Sequence, residues 1–485
     1  MQSTCIPAIA FPFLNSQTWL TFAAMIQFQP DDTICALSTP PGTGALAIIR
    51  ISGNEALTIF SKIFSKDLTN SEGYTIHFGK ILRNNEIIDE VLASVFRAPR
   101  SFTGEESIEI SCHGSPYIQS QILQLLIKNG CRMAQPGEFS MRAFANGKVD
   151  LSQAEAIADL IASSTSASHK LAMNQMRGGF SKKIKELREK LINFASLIEL
   201  ELDFSEEDVE FANREELTEL VTGIDVIVKN LIESFATGNA IKNGVPVAIL
   251  GAPNMGKSTL LNALLEDERA IVSEIAGTTR DTIEDEMVID GVRFRFTDTA
   301  GIRETTDEIE TIGISRAFEK AGKSAVVIYL FDAAESSQEQ VSKELHTLQS
   351  KVGDAVSIIL IGNKIDKLSS NGSPSTPPHK IEDALYISAK AGTGLDELKS
   401  RLLEITKSTS AEGNDIVVSN LRHLEALSKA HEALESVLSG IDSGITGDFL
   451  AMDIRRGLFH LGEITGEITT EDLLGNIFSK FCIGK

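Results

Sequence analysis

The segment Gly251-Ala-Pro-Asn-Met-Gly256-Lys257-Ser258 constrains the fold more than any other part of the chain. It fits the pattern G-x-x-x-x-G-K-[ST], with an apolar run, Val245–Leu250, before it and a helical segment, Ser258–Leu265, after it. Glycines let the backbone curl, so that successive N–H groups and a helix N-terminus face phosphate oxygens. Asn254, Met255, Gly256, Lys257, Ser258 and Thr259 are then the expected phosphate-contacting residues. Lys257 would reach the β- and γ-phosphates, and the Ser258 hydroxyl would bind Mg2+. The competing reading is a chance strand–turn–helix rich in small residues, and it is the neighbouring motifs that weigh against it.

Asp298-Thr299-Ala300-Gly301 follows the strand-like run Phe294–Thr297. That puts an acid at a strand end, able to hold Mg2+ through water, and a glycine N–H toward the γ-phosphate. Asn363-Lys364-Ile365-Asp366 follows Ser357–Ile361, and Ser388-Ala389-Lys390 follows the next run, Ala384–Ile387. A carboxylate at position 366 can accept from both N1 and N2 of guanine. Adenine offers neither hydrogen, so a buried acid there would be left unpaired. Gly277-Thr278-Thr279-Arg280-Asp281 lies where a switch loop with a Mg2+-binding threonine belongs. Five elements in this order, each at its strand end, specify GTP. One position departs from the usual pattern: Ile302 stands where many GTPases place a water-orienting glutamine. Arg303, Glu304, Asp307, Glu308 and Glu310 follow it as polar candidates, and spacing alone does not choose among them.

Apolar runs alternating with helical segments over residues 245–405, with Ala325–Phe331 among them, predict a mostly parallel sheet wrapped by helices. Proline is absent from 137 to 245 and again after Pro378, and both stretches read as helical. Ile184, Leu187, Leu191, Phe194, Ile198 and Leu202 form one face of a long helix, as Leu450, Ile454, Leu458 and Leu461 do later. Thr469-Thr470-Glu471-Asp472 reads as the cap of a last helix carrying Leu473, Leu474, Ile477, Phe478 and Phe481. Residues 31–148 mix strand-like runs (Ala45–Ile51, Glu86–Phe96, Ser107–Cys112) with a helix over Tyr117–Lys128, which predicts a small α+β domain. The fold class is therefore multidomain α/β: an N-terminal α+β domain, a helical domain and, inserted into it, a Ras-like P-loop domain. Ser369–Pro378 reads as a surface loop.

Lys plus Arg number 45 against 67 Asp plus Glu, a net charge of −22, which argues against a general nucleic-acid coat. The five cysteines form no zinc spacing and read as free thiols of a reducing, cytoplasmic compartment. No run is long and apolar enough to span a bilayer. Residues 1–30 contain no charged side chain and hold Trp19, the sole tryptophan. They fit neither a signal peptide nor a transit peptide, and read as an upstream start assignment with Met25 as the true initiator.

The phosphate loop, IVSEIAGTTRD (271–281), DTAGIRETTDEIE (298–310) and FCIGK (481–485) together resemble the MnmE (TrmE) family of tRNA-modification GTPases. SFTGEESIEI (101–110), CHG (112–114), PGEFSMRAFANGKVDLSQAEAIADLI (136–161) and EITGEITTEDLLGNIFSKFCIGK (463–485) resemble it too, so the likeness runs over about 31–485. It implies a folate-binding, dimerising domain at 31–148 and a helical domain in two parts, 149–243 and 409–485. The GTPase domain, 244–408, would lie between those parts, with 1–30 as an extension. It implies a homodimer that works with an FAD-containing MnmG-type partner on C5 of the tRNA wobble uridine, using a tetrahydrofolate one-carbon unit. It also implies K+-dependent GTP hydrolysis. Ser273, Glu274, Ile275, Ala276, Gly277, Thr278 and Thr279 would join the nucleotide site. Asn254, Ser273, Ile275 and Thr278 match K+ ligands, Ser258 and Thr279 match Mg2+ ligands, and Glu310 matches the catalytic acid. Arg50, Glu109, Lys148 and Lys485 match folate contacts, and Cys482 matches the family's C-terminal cysteine. The final C-I-G-K is a poor prenylation box, since Gly484 is not aliphatic.

A regulatory or ribosome-assembly GTPase would share all five motifs, but normally brings a basic RNA-binding module. This chain has acidic helical stretches such as Glu199–Glu219 and one modest basic cluster, Lys182–Lys190. A membrane-remodelling GTPase would need a basic amphipathic or transmembrane element that the sequence lacks.

Overall fold

The computed structural model describes residues 32–203, 214–266, 284–297, 321–322, 324–352, 356–368, 381–408 and 416–484. They fall into two compact units. One comprises Met1–Ile161, Gln175–Asp225 and Lys429–Lys485, the other Ala162–Asn174 and Val226–Ser428.

The first unit holds a six-stranded sheet in the order β3-β4-β5-β2-β1-β6. Its strands are β1 (Ile34–Leu37), β2 (Leu46–Ser52), β3 (Thr75–Arg83), β4 (Glu86–Phe96), β5 (Ser107–His113) and β6 (Arg132–Met133). All neighbours are antiparallel except β1 with β6. One face carries a core of Ile49, Ile51, Val91, Ala93, Ile108 and Ile110, against which Ile122 and Leu126 of the helix Pro116–Lys128 pack. Strict alternation along β2, β4 and β5 puts apolar side chains on that face and leaves Arg50 and Glu109 on the other.

In the same unit the helix Gly179–Asp203 buries Ile184, Leu187, Leu191, Phe194 and Ile198, the face the sequence specifies. The helix Gly447–Thr465 buries Leu450, Ile454 and Leu461, with Leu458 only half-buried. In the acidic stretch 199–219, residues 199–203 and 214–219 are helical, and residues 204–213 lie outside those described. The last helix, Glu471–Phe478, starts after Thr470 as expected, but the threonine side chain makes no cap hydrogen bond. It also ends sooner than expected: Phe481 lies beyond it and folds back, its ring 5.4 Å from that of Phe478. Leu474 and Phe478 pack on Met141, Phe144, Leu151 and Ala154, fastening this segment to the N-terminal part of the unit.

The second unit holds a sheet in the order β12-β11-β10-β7-β9-β8. These strands are β7 (Val245–Gly251), β8 (Glu284–Ile289), β9 (Val292–Thr297), β10 (Val326–Asp332), β11 (Ser357–Asn363) and β12 (Leu385–Tyr386). Every pairing is parallel except β8 with β9, which bears out the expected mostly parallel sheet. β10 is buried along its whole length, as a central strand covered on both faces must be. Val247, Ile249, Phe294, Phe296, Ile328 and Ile361 form its core with Leu260 and Leu264 of the helix Lys257–Glu266.

A buried ion network braces the first unit. Arg142 is fully buried and donates to Glu105, to Glu138 and to the Asp32 carbonyl. Arg132 donates to Asp32 and to both oxygens of Glu138, while the Gln135 N–H also reaches Glu138. Burial pushes the Glu138 carboxyl up, but the Arg132 and Gln135 hydrogen bonds and the Arg142 charge outweigh it and hold it below its ordinary range. A carboxyl lowered on folding contributes its stability in full above the unfolded value, ~4.3, and loses it as pH falls through the lower folded value. Glu138→Gln should therefore cost about 1–3 kcal/mol at neutral pH and flatten the acid-side decline. Urea-denaturation midpoints followed from neutral pH to pH ~3 would reveal both effects.

Candidate functional site

The phosphate loop leaves β7 at Gly251 and enters the helix at Lys257, as the sequence specifies. Asn254 adopts φ 61°, a left-handed conformation that asparagine tolerates better than most residues. Asn254, Ser258 and Thr259 are exposed, and Met255 and Gly256 are half-buried. Lys257 Nζ lies across the loop, donating to the carbonyls of Gly251 at 2.8 Å and Ala252 at 3.0 Å. Burial holds its ammonium below the usual lysine range.

One side chain joins this loop to the other two described motifs. Asn363 is 2% exposed. Its Nδ2 donates to the Met255 carbonyl at 2.9 Å, and its Oδ1 accepts from the Ala389 N–H at 3.0 Å. The approach is so close that a Cβ on Gly256 would sit 2.4 Å from Asn363 Nδ2, and Gly256 itself has φ 91°. Ser388, also buried, donates through Oγ to Asp366 Oδ1 at 2.6 Å and accepts the Ala391 N–H. Asn254–Thr259, Asn363–Asp366 and Ser388–Lys390 thus converge at the carboxyl ends of β7, β11 and β12, where open α/β sheets bind ligands. Lys390 is exposed beside them.

The sequence reading is corrected at Asp366, which is exposed rather than buried. The chain leaves β11 in a 3-10 turn, Ile365–Leu368, that buries none of its residues. The acid therefore stands at the lip of the cleft, oriented by Ser388. Lys364, at φ 68°, sends its ammonium to Asp332 Oδ2 at 2.8 Å. Burial would raise the Asp332 carboxyl, but bonds from Lys364 and the Ala334 N–H, with the charges of Lys364 and Lys367, keep it below its ordinary range. Asp332 was not singled out in the sequence, where it is only the last residue of an apolar run. Ser273, Glu274, Ile275, Ala276, Gly277, Thr278, Thr279, Asp298, Thr299, Ala300, Gly301, Glu310 and Lys485 lie outside the described residues.

A separate cluster forms in the first unit. Arg50 and Glu109 are directly opposed on β2 and β5, and Arg50 Nε and Nη2 both donate to Glu109 Oε1, at 3.0 and 2.7 Å. The Arg50 guanidinium lies 5.2 Å from the Phe102 ring and 5.6 Å from the Phe139 ring, two contacts the sequence reading missed. Phe102 belongs to a loop held by Asn146, which donates to the Thr103 carbonyl, and by Lys148, whose Nζ donates to the Pro99 carbonyl. The loop therefore ties Lys148 to the Arg50 neighbourhood. Gly484, at φ 94°, presses on β1: a Cβ there would lie 2.3 Å from the Leu37 carbonyl. Ser38 Oγ donates to the Gly484 carbonyl and the Gly137 N–H donates to that of Cys482. Leu37 pairs with Ile49, so this tail is seated one residue from Arg50 in the register, with the Cys482 thiol exposed.

Residues 33–148 match the family model for the GTP-binding protein TrmE N-terminus, and residues 151–482 match that for the MnmE helical domain. The chain belongs to the MnmE (TrmE) family. It is 55% identical over 473 residues to the tRNA modification GTPase MnmE of Christiangramia forsetii, covering 94% of this chain and 99% of that one. It is 54% identical to the MnmE of Flavobacterium psychrophilum and 52% identical to that of Bacteroides fragilis strain YCH46, again over 94% of this chain and 99% of each relative. Among the described residues no helix is long and apolar enough to cross a membrane, and no three His, Cys, Asp or Glu side chains group as a metal site. Of the residues expected to hold Mg2+ and K+, the described ones are Ser258 and Asn254, both exposed and both neutral oxygen donors of the kind suited to a cation shared with phosphate oxygens. Gly256→Ala should lower GTP affinity at least tenfold, ~1.4 kcal/mol, by forcing Asn363 off the loop. Titration of the variant with a fluorescent GTP analogue would show it.

Proposed function

We propose that this chain is a GTP hydrolase of tRNA modification. The observation that carries the reading is the Asn363 junction, which brings the phosphate-loop and guanine-type motifs of a GTPase to one set of strand ends. Lys257 and the loop N–H groups bind the phosphates, Asp366 reads N1 and N2 of guanine, and Ser388 holds that acid in place. Ser258 and Thr279 hold Mg2+, which neutralises phosphate charge.

Asn254, with Ser273, Ile275 and Thr278, would hold K+, and its charge would supply what other GTPases take from an arginine. Glu310 orients the attacking water in place of the glutamine missing at Ile302. Residues 31–148 bind a reduced folate, with Arg50, Glu109, Lys148 and Lys485 as contacts and Cys482 beside them. A carboxylate and a guanidinium flanked by aromatic rings suit a pterin and an acidic tail. A tetrahydrofolate derivative held by these residues would supply the one-carbon unit for C5 of the tRNA wobble uridine, in a cytoplasmic complex with an FAD-containing MnmG-type partner. The helical parts, 149–243 and 409–485, flank the GTPase domain, 244–408.

Self-association through the N-terminal domain is supported by its sheet. Ile76, Phe78 and Leu92 share the Arg50–Glu109 face and are 68%, 55% and 47% exposed. An apolar patch of this kind next to a polar site suits a second copy of the chain.

Cells lacking this gene should lose the C5 substituent of wobble uridine, and wild-type chain but not Glu109→Ala should restore it. Mass analysis of tRNA nucleosides reads the outcome, and an unaltered nucleoside profile in the deletion strain would refute the reading. GTP turnover should run at least tenfold faster in K+ than in Na+. Steady-state phosphate release in the two salts tests this, and equal rates would remove the Asn254 assignment.

A further inference from the structure

Asp332 lies outside all five nucleotide motifs, yet it is tied to one of them more closely than to its own loop. It ends β10, directly opposite Asn363 in the parallel register with β11. Its side chain is 1% exposed, and a carboxylate so placed needs charge partners. Oδ2 accepts from Lys364 Nζ at 2.8 Å and lies 3.5 Å from Lys367 Nζ, and Oδ1 accepts the Ala334 N–H at 3.0 Å. The next residue adds a backbone tie, since the Ala333 N–H donates to the Asn363 carbonyl at 2.9 Å.

Lys364 sits between the two residues that do the recognition. Asn363 faces the phosphate loop and Ala389, while Asp366 faces Ser388. The turn that separates them runs through Lys364 at φ 68°, a conformation rare for a long side chain. Such a turn persists only where its surroundings fix it. The ammonium at the far end of this side chain is fixed by Asp332.

We propose that Asp332 is a positioning residue for base recognition: by pinning the Lys364 ammonium it sets the turn that aims Asn363 and Asp366. The inference rests on the guanine-binding reading of Asp366. Asp332 is not itself a nucleotide contact and acts through Lys364.

The test compares GDP with IDP, whose base lacks the 2-amino group that a carboxylate reads, by equilibrium binding to the full chain. Wild type should prefer GDP over both IDP and ADP. Asp332→Asn should bind GDP about tenfold more weakly and show a smaller preference for GDP over IDP. A strand-end residue with a purely structural part would lower the melting temperature and leave that preference alone. Lys364→Met should reproduce the loss, and the double variant should bind no more weakly than the weaker single one, because both changes cut one connection. A folded Asp332→Asn chain with the wild-type preference, or additive losses in the double variant, would overturn the proposal. Should Asp332→Asn fail to fold, Asp332→Glu displaces the ammonium by one methylene; the same narrowing supports the proposal and an unchanged preference overturns it. A wild-type chain with no preference for GDP over ADP would instead strike down the guanine reading itself.

Discussion

The nucleotide site depends on one buried amide. Asn363 is inaccessible to water, so each of its polar atoms must find a protein partner. It finds them on two different loops, the Met255 carbonyl and the Ala389 N–H. Three strand ends are thereby tied together, because an amide carries its donor and its acceptor on separate atoms that can face two loops at once. The glycine at 256 is a consequence: the amide comes so near that no side chain fits there.

The first unit is organised by charge rather than by an amide. Arg142 and Arg132 spread over Glu138, Glu105 and Asp32, and Glu138 is the acid that both arginines share, so its removal would take a charge partner from each, the fully buried Arg142 included. That network also grips the loop carrying Phe102, because Glu105 accepts from both Arg142 and Ser52. The loop that carries Phe102 beside Arg50 is thus anchored to the ion pairs behind it.

The sequence made some elements plain and hid others for definite reasons. β10 and β11 were legible because buried parallel strands are continuous apolar runs, and the phosphate loop because its geometry demands glycines. β3 was missed: Ile76 and Phe78 are exposed on the open face, while the buried positions are only Gly79 and Ile81, so its apolar residues fall on both faces and blur the alternation. β1 and β6 have only four and two residues, too short for periodicity to register. The burial of Asp366 was misjudged because the motif fixes its chemistry and not the path of the 3-10 turn that carries it to the surface. Asp332 and Phe102 act through pairings far away in sequence, which spacing does not encode.

The seating of Gly484 on Leu37 sets an order of events during synthesis. Ser38 and Gly484 are 446 residues apart. At 5–20 residues per second a ribosome takes roughly 20–90 s to cover that span. Throughout that interval the edge of β1 stays open on the nascent chain, and the apolar pocket of Met141, Phe144 and Leu151 stays open from its own synthesis until Leu474 and Phe478 fill it. The N-terminal sheet can pair its strands early, but its closing piece arrives last. An interrupted translation product would carry that pocket uncovered, a natural handle for chaperones or proteases.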